Sequence, residues 1–218
     1  MKYINQRFIF DPSLVLYLPL YQADGSSIMS RDAYGHPCTV TGALWRPDGH
    51  YLDGTDDKIT FGNSTALQIS TEQTVEAWVW PDETPDWCGI FSKSDQGVTI
   101  TGWELYLRSL ANGFSYRTGN GVSYDTATGN DGAPLKSKTW YHVVGISTGI
   151  STKIFVNGLT RQSRPNNYLS ADTANNGKIG ERSGKWWKGM IGEVRIYSRC
   201  LTLPEIQHNY LATKWRYR

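Results

Sequence analysis

Few side chains in this sequence stand at spacings that could run a reaction. Glu72 and Glu76 are four apart and would share one side of a strand, where successive side chains alternate. A carboxylate pair can serve as acid and nucleophile across a glycosidic bond. No acidic residue stands between these two, however, and Glu193 is alone in its segment. His36, His50, His142 and His208 are scattered, with no partner in view, and His142 falls within a strand-like segment. There is no Gly-x-Ser-x-Gly elbow, no His-Glu-x-x-His and no Gly-x-x-x-x-Gly-Lys loop. These residues predict no enzyme and no catalytic residue.

Oxygen ligands are better supplied. Asp53-Gly54-Thr55-Asp56-Asp57 brings three carboxylates into five residues, and a hard cation such as Ca²⁺ requires several oxygens. Asp24 and Asn157 are candidate helpers. The same Asp-Gly and Asp-Asp pairs also serve as tight-turn formers without any metal.

Aromatic side chains are the third resource. Nine tryptophans are generous for this length. Trp78, Trp80 and Trp140 lie in strand-like segments and read as core. Trp87, Trp186 and Trp187 lie in loop-like contexts, with Asp86, Arg182, Lys185 and Asn175-Asn176 nearby in sequence. Aromatic faces stack on sugar rings while amides and charged groups bond the hydroxyls. Exposed indoles also anchor protein interfaces. Trp87, Trp186, Trp187 and Arg182 are therefore the candidate binding set, for a glycan or for a protein.

The elements that must position these residues alternate like half-buried strands. In Trp140–Ile146, one side carries Trp140, His142, Val144 and Ile146. In Met190–Ser198, Met190, Gly192, Val194 and Ile196 take one side, and Ile191, Glu193, Arg195 and Tyr197 the other. Ile154-Phe155-Val156 runs into Asn157-Gly158, the strongest short hairpin signal. Strands are expected at 14–18, 51–54, 58–61, 73–80, 89–92, 103–108, 114–117 and 122–126, with loops at 21–37, 82–87 and 127–138. Near the C-terminus, Thr202 with Pro204 and Glu205 forms a capping-box start to one helix, with Ile206, Tyr210 and Leu211 as its buried face.

Trp140-Tyr141-His142-Val143-Val144, then Ile154-Phe155-Val156-Asn157-Gly158, Lys178-Ile179-Gly180 and Gly189–Leu201 occur in an order that resembles laminin G-like domains. Those domains belong to the concanavalin A-like lectin and glucanase superfamily. The resemblance extends back to Leu14–Leu18 and Val75–Trp80. It implies an all-β fold, a two-sheet antiparallel β-sandwich (concanavalin A-like jelly roll) with one short C-terminal helix. Glucanases of the superfamily carry Glu-x-Asp-x-x-Glu on one strand, a triplet missing here, so the resemblance implies a non-catalytic carbohydrate-binding or adhesion module. Many relatives hold Ca²⁺ at the sandwich edge, which makes Asp53, Asp56 and Asp57 the expected ligands. Many also have an aspartate where this chain has Gly192.

Size and composition agree. The 218 residues fall within the roughly 200–250 typical of one all-β sandwich, and no repeat or linker divides them. One domain over 1–218 is expected, with an N-terminal arm (1–12) and a basic-aromatic tail (212–218). A 39% hydrophobic content supports a sizeable core, and a net charge of +2 gives no basic stripe for nucleic acid. The tail is expected to be solvated. Cys38, Cys88 and Cys200 cannot all pair and match no zinc spacing, so they read as free thiols. No segment reads as a signal peptide or a membrane span. The expected partner is a glycan or glycoprotein surface, in an extracellular or cell-surface setting if the chain is part of a longer protein. The alternative is a virion structural or decoration protein docking on a capsid or fibre, or on copies of itself, through Tyr3, Phe8, Phe10, Trp215 and Tyr217.

Overall fold

The computed structural model describes residues 11–22, 24–83, 86–95, 101–166, 171 and 174–218. The N-terminal arm through Phe10, with Tyr3 and Phe8, lies outside the described residues. In chain order the first strands are β1 (Leu14–Pro19), β2 (Ser27–Met29), β3 (Pro37–Thr41), β4 (Leu44–Arg46), β5 (Gly49–Asp53) and β6 (Lys58–Phe61). Next come β7 (Gln73–Pro81), β8 (Cys88–Asp95), β9 (Thr101–Ser109), β10 (Gly113–Asn120), β11 (Tyr124–Gly129) and β12 (Tyr141–Ser147). Last are β13 (Ser151–Val156), β14 (Leu159–Pro165), β15 (Gly177–Ile179), β16 (Glu181–Arg182), β17 (Lys185–Trp186), β18 (Lys188–Tyr197) and helix α1 (Leu203–Thr213).

All the pairings are antiparallel. The first sheet runs β14-β13-β12-β7-β18-β5-β4, with β1 pairing along the C-terminal half of β18. The second runs β11-β10-β9-β8-β15-β6-β3-β2, and β16 and β17 form a separate small hairpin. One face of each sheet turns inward. Val75, Ala77 and Val79 of β7 join Ile191, Val194 and Ile196 of β18 in the same core as Trp103, Leu105 and Leu107 of β9 and Phe114 and Tyr116 of β10. Burying each such side chain contributes roughly 1.5–3 kcal/mol. Gln73 Nε2 donates to the Tyr116 hydroxyl at 3.0 Å, which satisfies both groups inside the core. The jelly-roll sandwich is as expected, and so is the Asn157-Gly158 turn, with φ of 53° and 74° at its two central residues.

Three expectations fail for identifiable reasons. Alternation in the last strand slips at Gly192, where the register with β7 shifts between Ile191 and Glu193. Ile191 therefore enters the core with Val194 and Ile196, and Glu193, Arg195 and Tyr197 face the other way. Trp78 is not in the inter-sheet core but on the outer face of the first sheet, buried beneath α1 and the tail. Its ring stacks on Tyr217 at 4.5 Å and Tyr210 at 5.8 Å, and its Nε1 donates to Thr213 Oγ1 at 2.8 Å. The tail is thus docked, although Trp215 within it remains exposed.

The helix begins as its capping box dictates. The Glu205 carboxylate accepts the Thr202 backbone N–H at 2.7 Å and the Thr202 hydroxyl at 2.8 Å. Ile206 is buried, but Leu211 is exposed. The helix faces the sheet with Ile206, Asn209, Tyr210 and Thr213, because its target is partly polar. The segments at 21–37 and 127–138 are less loop-like than expected, since β2 and the end of β11 fall within them. Burial pushes the Cys38 and Cys200 thiols up to about 12. No helix among the described residues is long and apolar enough to cross a membrane.

Candidate functional site

The outer face of the second sheet carries polar and aromatic side chains at the positions that alternate with its core. On β9 these are Glu104, Tyr106 and Arg108, and on β10 Ser115 and Arg117, with Arg117 opposite Glu104 and Ser115 opposite Tyr106. Ser92 and Ser94 of β8 and Tyr124 and Thr126 of β11 complete the face. Tyr106 is its organising ring. Trp87 stacks on it at 5.9 Å, the Arg182 guanidinium lies 4.4 Å from its centroid, and that of Arg117 lies at 5.5 Å. Two residues of the expected set, Trp87 and Arg182, are thus brought together although 95 positions separate them.

Local structure explains how. Glu181–Arg182 and Lys185–Trp186 pair across Ser183-Gly184, both at positive φ (50° and 71°), the geometry of a tight two-residue hairpin turn. This hairpin presses on β8 at Gly89, where an added Cβ would lie 2.5 Å from the Glu181 carbonyl carbon. Only glycine permits that approach. The Arg182 Nε then donates to Glu104 Oε2 at 2.6 Å, while Ser94 Oγ donates to Glu104 Oε1 at 2.5 Å. Beside this ion pair opens a cleft of about 250 Å³ lined by Ser92, Ser94, Asn175, Asn176, Lys178 and Ser183. Trp87 is 37% exposed, takes a left-handed conformation (φ 69°), and lies beneath the Arg108 guanidinium at 5.3 Å. A bulky residue at positive φ is costly, and such strain collects at functional positions.

The other two tryptophans of the set do not join this group. Trp187 is fully buried in the core, so it offers no ring face to a ligand. Alternation through the hairpin sends Trp187 inward and leaves its neighbour Trp186 half-buried, with Lys58 Nζ 5.3 Å from its ring. Arg182 itself is buried and acts through Glu104 and Tyr106.

Asp53, Asp56 and Asp57 do converge, with a carboxylate oxygen of each within 4.8 Å of the others. Two of their oxygens already serve the turn, Asp57 Oδ2 accepting the Asp53 N–H at 2.9 Å and Asp53 Oδ1 the Thr55 N–H at 2.7 Å. Burial, together with the two neighbouring carboxylates, raises the Asp57 pKa. The expected helpers are engaged elsewhere. Asn157 bonds His142 N and Asp131, and Asp24 bonds the Gly25 N–H. Gly192 has a packing role, since any Cβ there would strike the Tyr217 ring at 2.3 Å.

Sequence reasoning missed Tyr106, Glu104 and Arg117. Their signal was present as polar residues at alternate positions of Trp103–Arg108 and Phe114–Arg117.

A family model described as the concanavalin A-like lectin/glucanases superfamily, of laminin G-like type, matches residues 53–207. The chain belongs to this superfamily. A search of curated proteins gives no match. Among solved structures, the concanavalin A-like chain is similar to the botulinum neurotoxin serotype D ligand binding domain in complex with N-acetylneuraminic acid. That match has a TM-score of 0.75 at 16% identity and covers 92% of this chain and 51% of that one. The binding domain of Paraclostridial Mosquitocidal Protein 1 follows at TM-score 0.72 and 15% identity, covering 92% and 52%. Trypanosoma rangeli sialidase in complex with sialic acid gives 0.70 at 18% identity, covering 94% and 34%. The chain therefore spans about half the length of the toxin structures and a third of the sialidase. At these identities the likeness establishes the sandwich.

Proposed function

We propose that the chain is a non-catalytic carbohydrate-binding module and that the outer face of the second sheet is its site. The observation that carries this reading is Trp87, an exposed indole held at positive φ on the buried Tyr106 ring, on the same face as a polar cleft of about 250 Å³. Stacking on an aromatic face combined with hydroxyl, amide and charged groups at its edge is the chemistry that holds a pyranose. The neurotoxin and sialidase structures are complexes with N-acetylneuraminic acid and sialic acid, which agrees with a sugar ligand for a chain of this fold. Among the described residues no carboxylate pair suited to glycoside hydrolysis supports a catalytic reading, because Glu104 is committed to Arg182 and Glu76 to Arg195 and His142.

The test is a glycan array read with the wild-type chain and Trp87→Ala, each with and without EDTA. Binding by wild type that falls at least ten-fold in Trp87→Ala supports the reading. A folded chain that binds nothing on a broad array overturns it and favours a protein-docking role. Loss of binding in EDTA would show that binding depends on a divalent cation, for which Asp53, Asp56 and Asp57 are the candidate ligands.

A further inference from the structure

We propose that Arg117 is the anion-recognition point of this site and that the sugar it takes bears a carboxylate. This rests on the reading of the outer face as glycan-binding. Among the described residues four strand arginines are buried or half-buried: Arg117, Arg161, Arg182 and Arg195. Arg161 pairs with Asp131, Arg182 with Glu104, and Arg195 with Glu76 and Glu193. Arg117 alone has no carboxylate in reach among the described residues.

The reason lies in Glu104. Its Cα is the cross-strand partner of Arg117, but its two oxygens are taken by Arg182 and Ser94. What Arg117 has instead is neutral. Nε donates to Thr126 Oγ1 at 3.3 Å, Nη2 donates to the Tyr106 hydroxyl at 3.4 Å, and the guanidinium lies 5.5 Å from the Tyr106 ring and 4.8 Å from the Tyr124 ring. Both bonds are long for N–H···O contacts, and Nη1 has no partner among the described residues. The two rings hold the guanidinium in place, and no carboxylate among the described residues pairs with it.

A half-buried, oriented and unpaired guanidinium is a receptor for a planar oxyanion, which it bonds with two parallel N–H donors. Tyr124, 57% exposed, lies beside it and presents ring surface on which the sugar can rest. Carboxylate fits this fork better than a neutral hydroxyl, because one charge-assisted pair replaces two weak neutral bonds. The site then divides its work. Trp87 and Tyr124 supply stacking at either side of Tyr106, and Arg117 selects for charge.

The experiment is calorimetric titration of the full chain and its Arg117→Gln and Arg117→Lys variants, with thermal melts checking the fold. The probes are 3′-sialyllactose, a glucuronic-acid-terminated disaccharide, lactose and galactose 3-sulfate. Wild type is expected to bind one of the two carboxylated probes at least ten-fold more tightly than lactose. Which of the two it prefers separates sialic from uronic acids. Arg117→Gln should remove that preference, and Arg117→Lys should restore it only in part, because an ammonium lacks the fork. Arg46→Gln, an exposed cation outside the site, should leave it unchanged. Equal affinity for lactose and the carboxylated probes overturns the inference while leaving the glycan reading intact. Tighter binding of galactose 3-sulfate overturns the carboxylate assignment. Silence toward every probe overturns both.

Discussion

The outer faces of the two sheets use the same residue types to opposite ends. On the first sheet, Glu76 accepts from His142 at 3.0 Å, Arg195 at 3.2 Å and Asn209 at 2.9 Å, all beneath α1. Burial opposes its ionisation, but Arg195 and His142 outweigh that and hold its carboxyl at about 2. On the second sheet, Glu104 and Arg182 also pair, but no helix covers them, and Arg117 is left with neutral partners. The first polar face is closed by a helix, whereas on the second, among the described residues, only the β16–β17 hairpin covers Glu104, and Arg117 and Tyr124 stay accessible. Two carboxylates in strands thus take different roles according to what lies above them.

Breaking the covered face should cost most. Glu76→Ala leaves Arg195 and His142 buried without their acceptor, a loss of about 3–5 kcal/mol that urea unfolding would measure. Acid should act through the same group. Its folded pKa of about 2 lies below the ordinary value near 4.3, so its contribution is intact above that ordinary value and is lost as pH falls toward 2. Glu193 works the other way, because burial raises its pKa and protonation then favours the fold. Melting followed from pH 5 to 2 should show a steep decline in wild type and a shallower one in Glu76→Gln. Tyr217→Ala removes the ring that stacks on Trp78 and lies tilted against Trp140, and should cost about 2–3 kcal/mol, with a red shift in tryptophan emission. Gly192→Asp would force the same tyrosine out of place and cost about 1–3 kcal/mol. None of the last three should change glycan affinity in the fraction that remains folded. The open face gives the smallest effect on stability. Arg117→Gln should alter unfolding by less than about 1 kcal/mol, since it breaks no ion pair, only two long hydrogen bonds and two ring contacts.

How far the sequence could be read follows the same division. Period-two alternation and Asn157-Gly158 reveal the sandwich because they are local. The capping box at Thr202 and Glu205 is legible for the same reason. The site depends on register, which is not local. Glu104 meets Arg182 across 78 positions, and Arg117 faces Glu104 only because of the bulged turn between β9 and β10. Trp186 and Trp187 looked alike in sequence, yet one residue of strand alternation places Trp187 in the core. Tyr217 looked like a solvated tail residue, and its slot becomes visible only once the bulge at Gly192 is known.

The cover over the first sheet has a consequence for synthesis. Trp78 donates its indole N–H to Thr213, 135 positions later, and stacks its ring on Tyr217. At about 5–20 residues per second on a ribosome, roughly 7–27 seconds separate the two ends of that contact. During that interval the β7 strand carries a bare indole, and Glu76 waits for Arg195 and Asn209. The nascent chain is therefore most exposed to aggregation, and most in need of a chaperone, along the strand that ends up among the best protected in the finished protein.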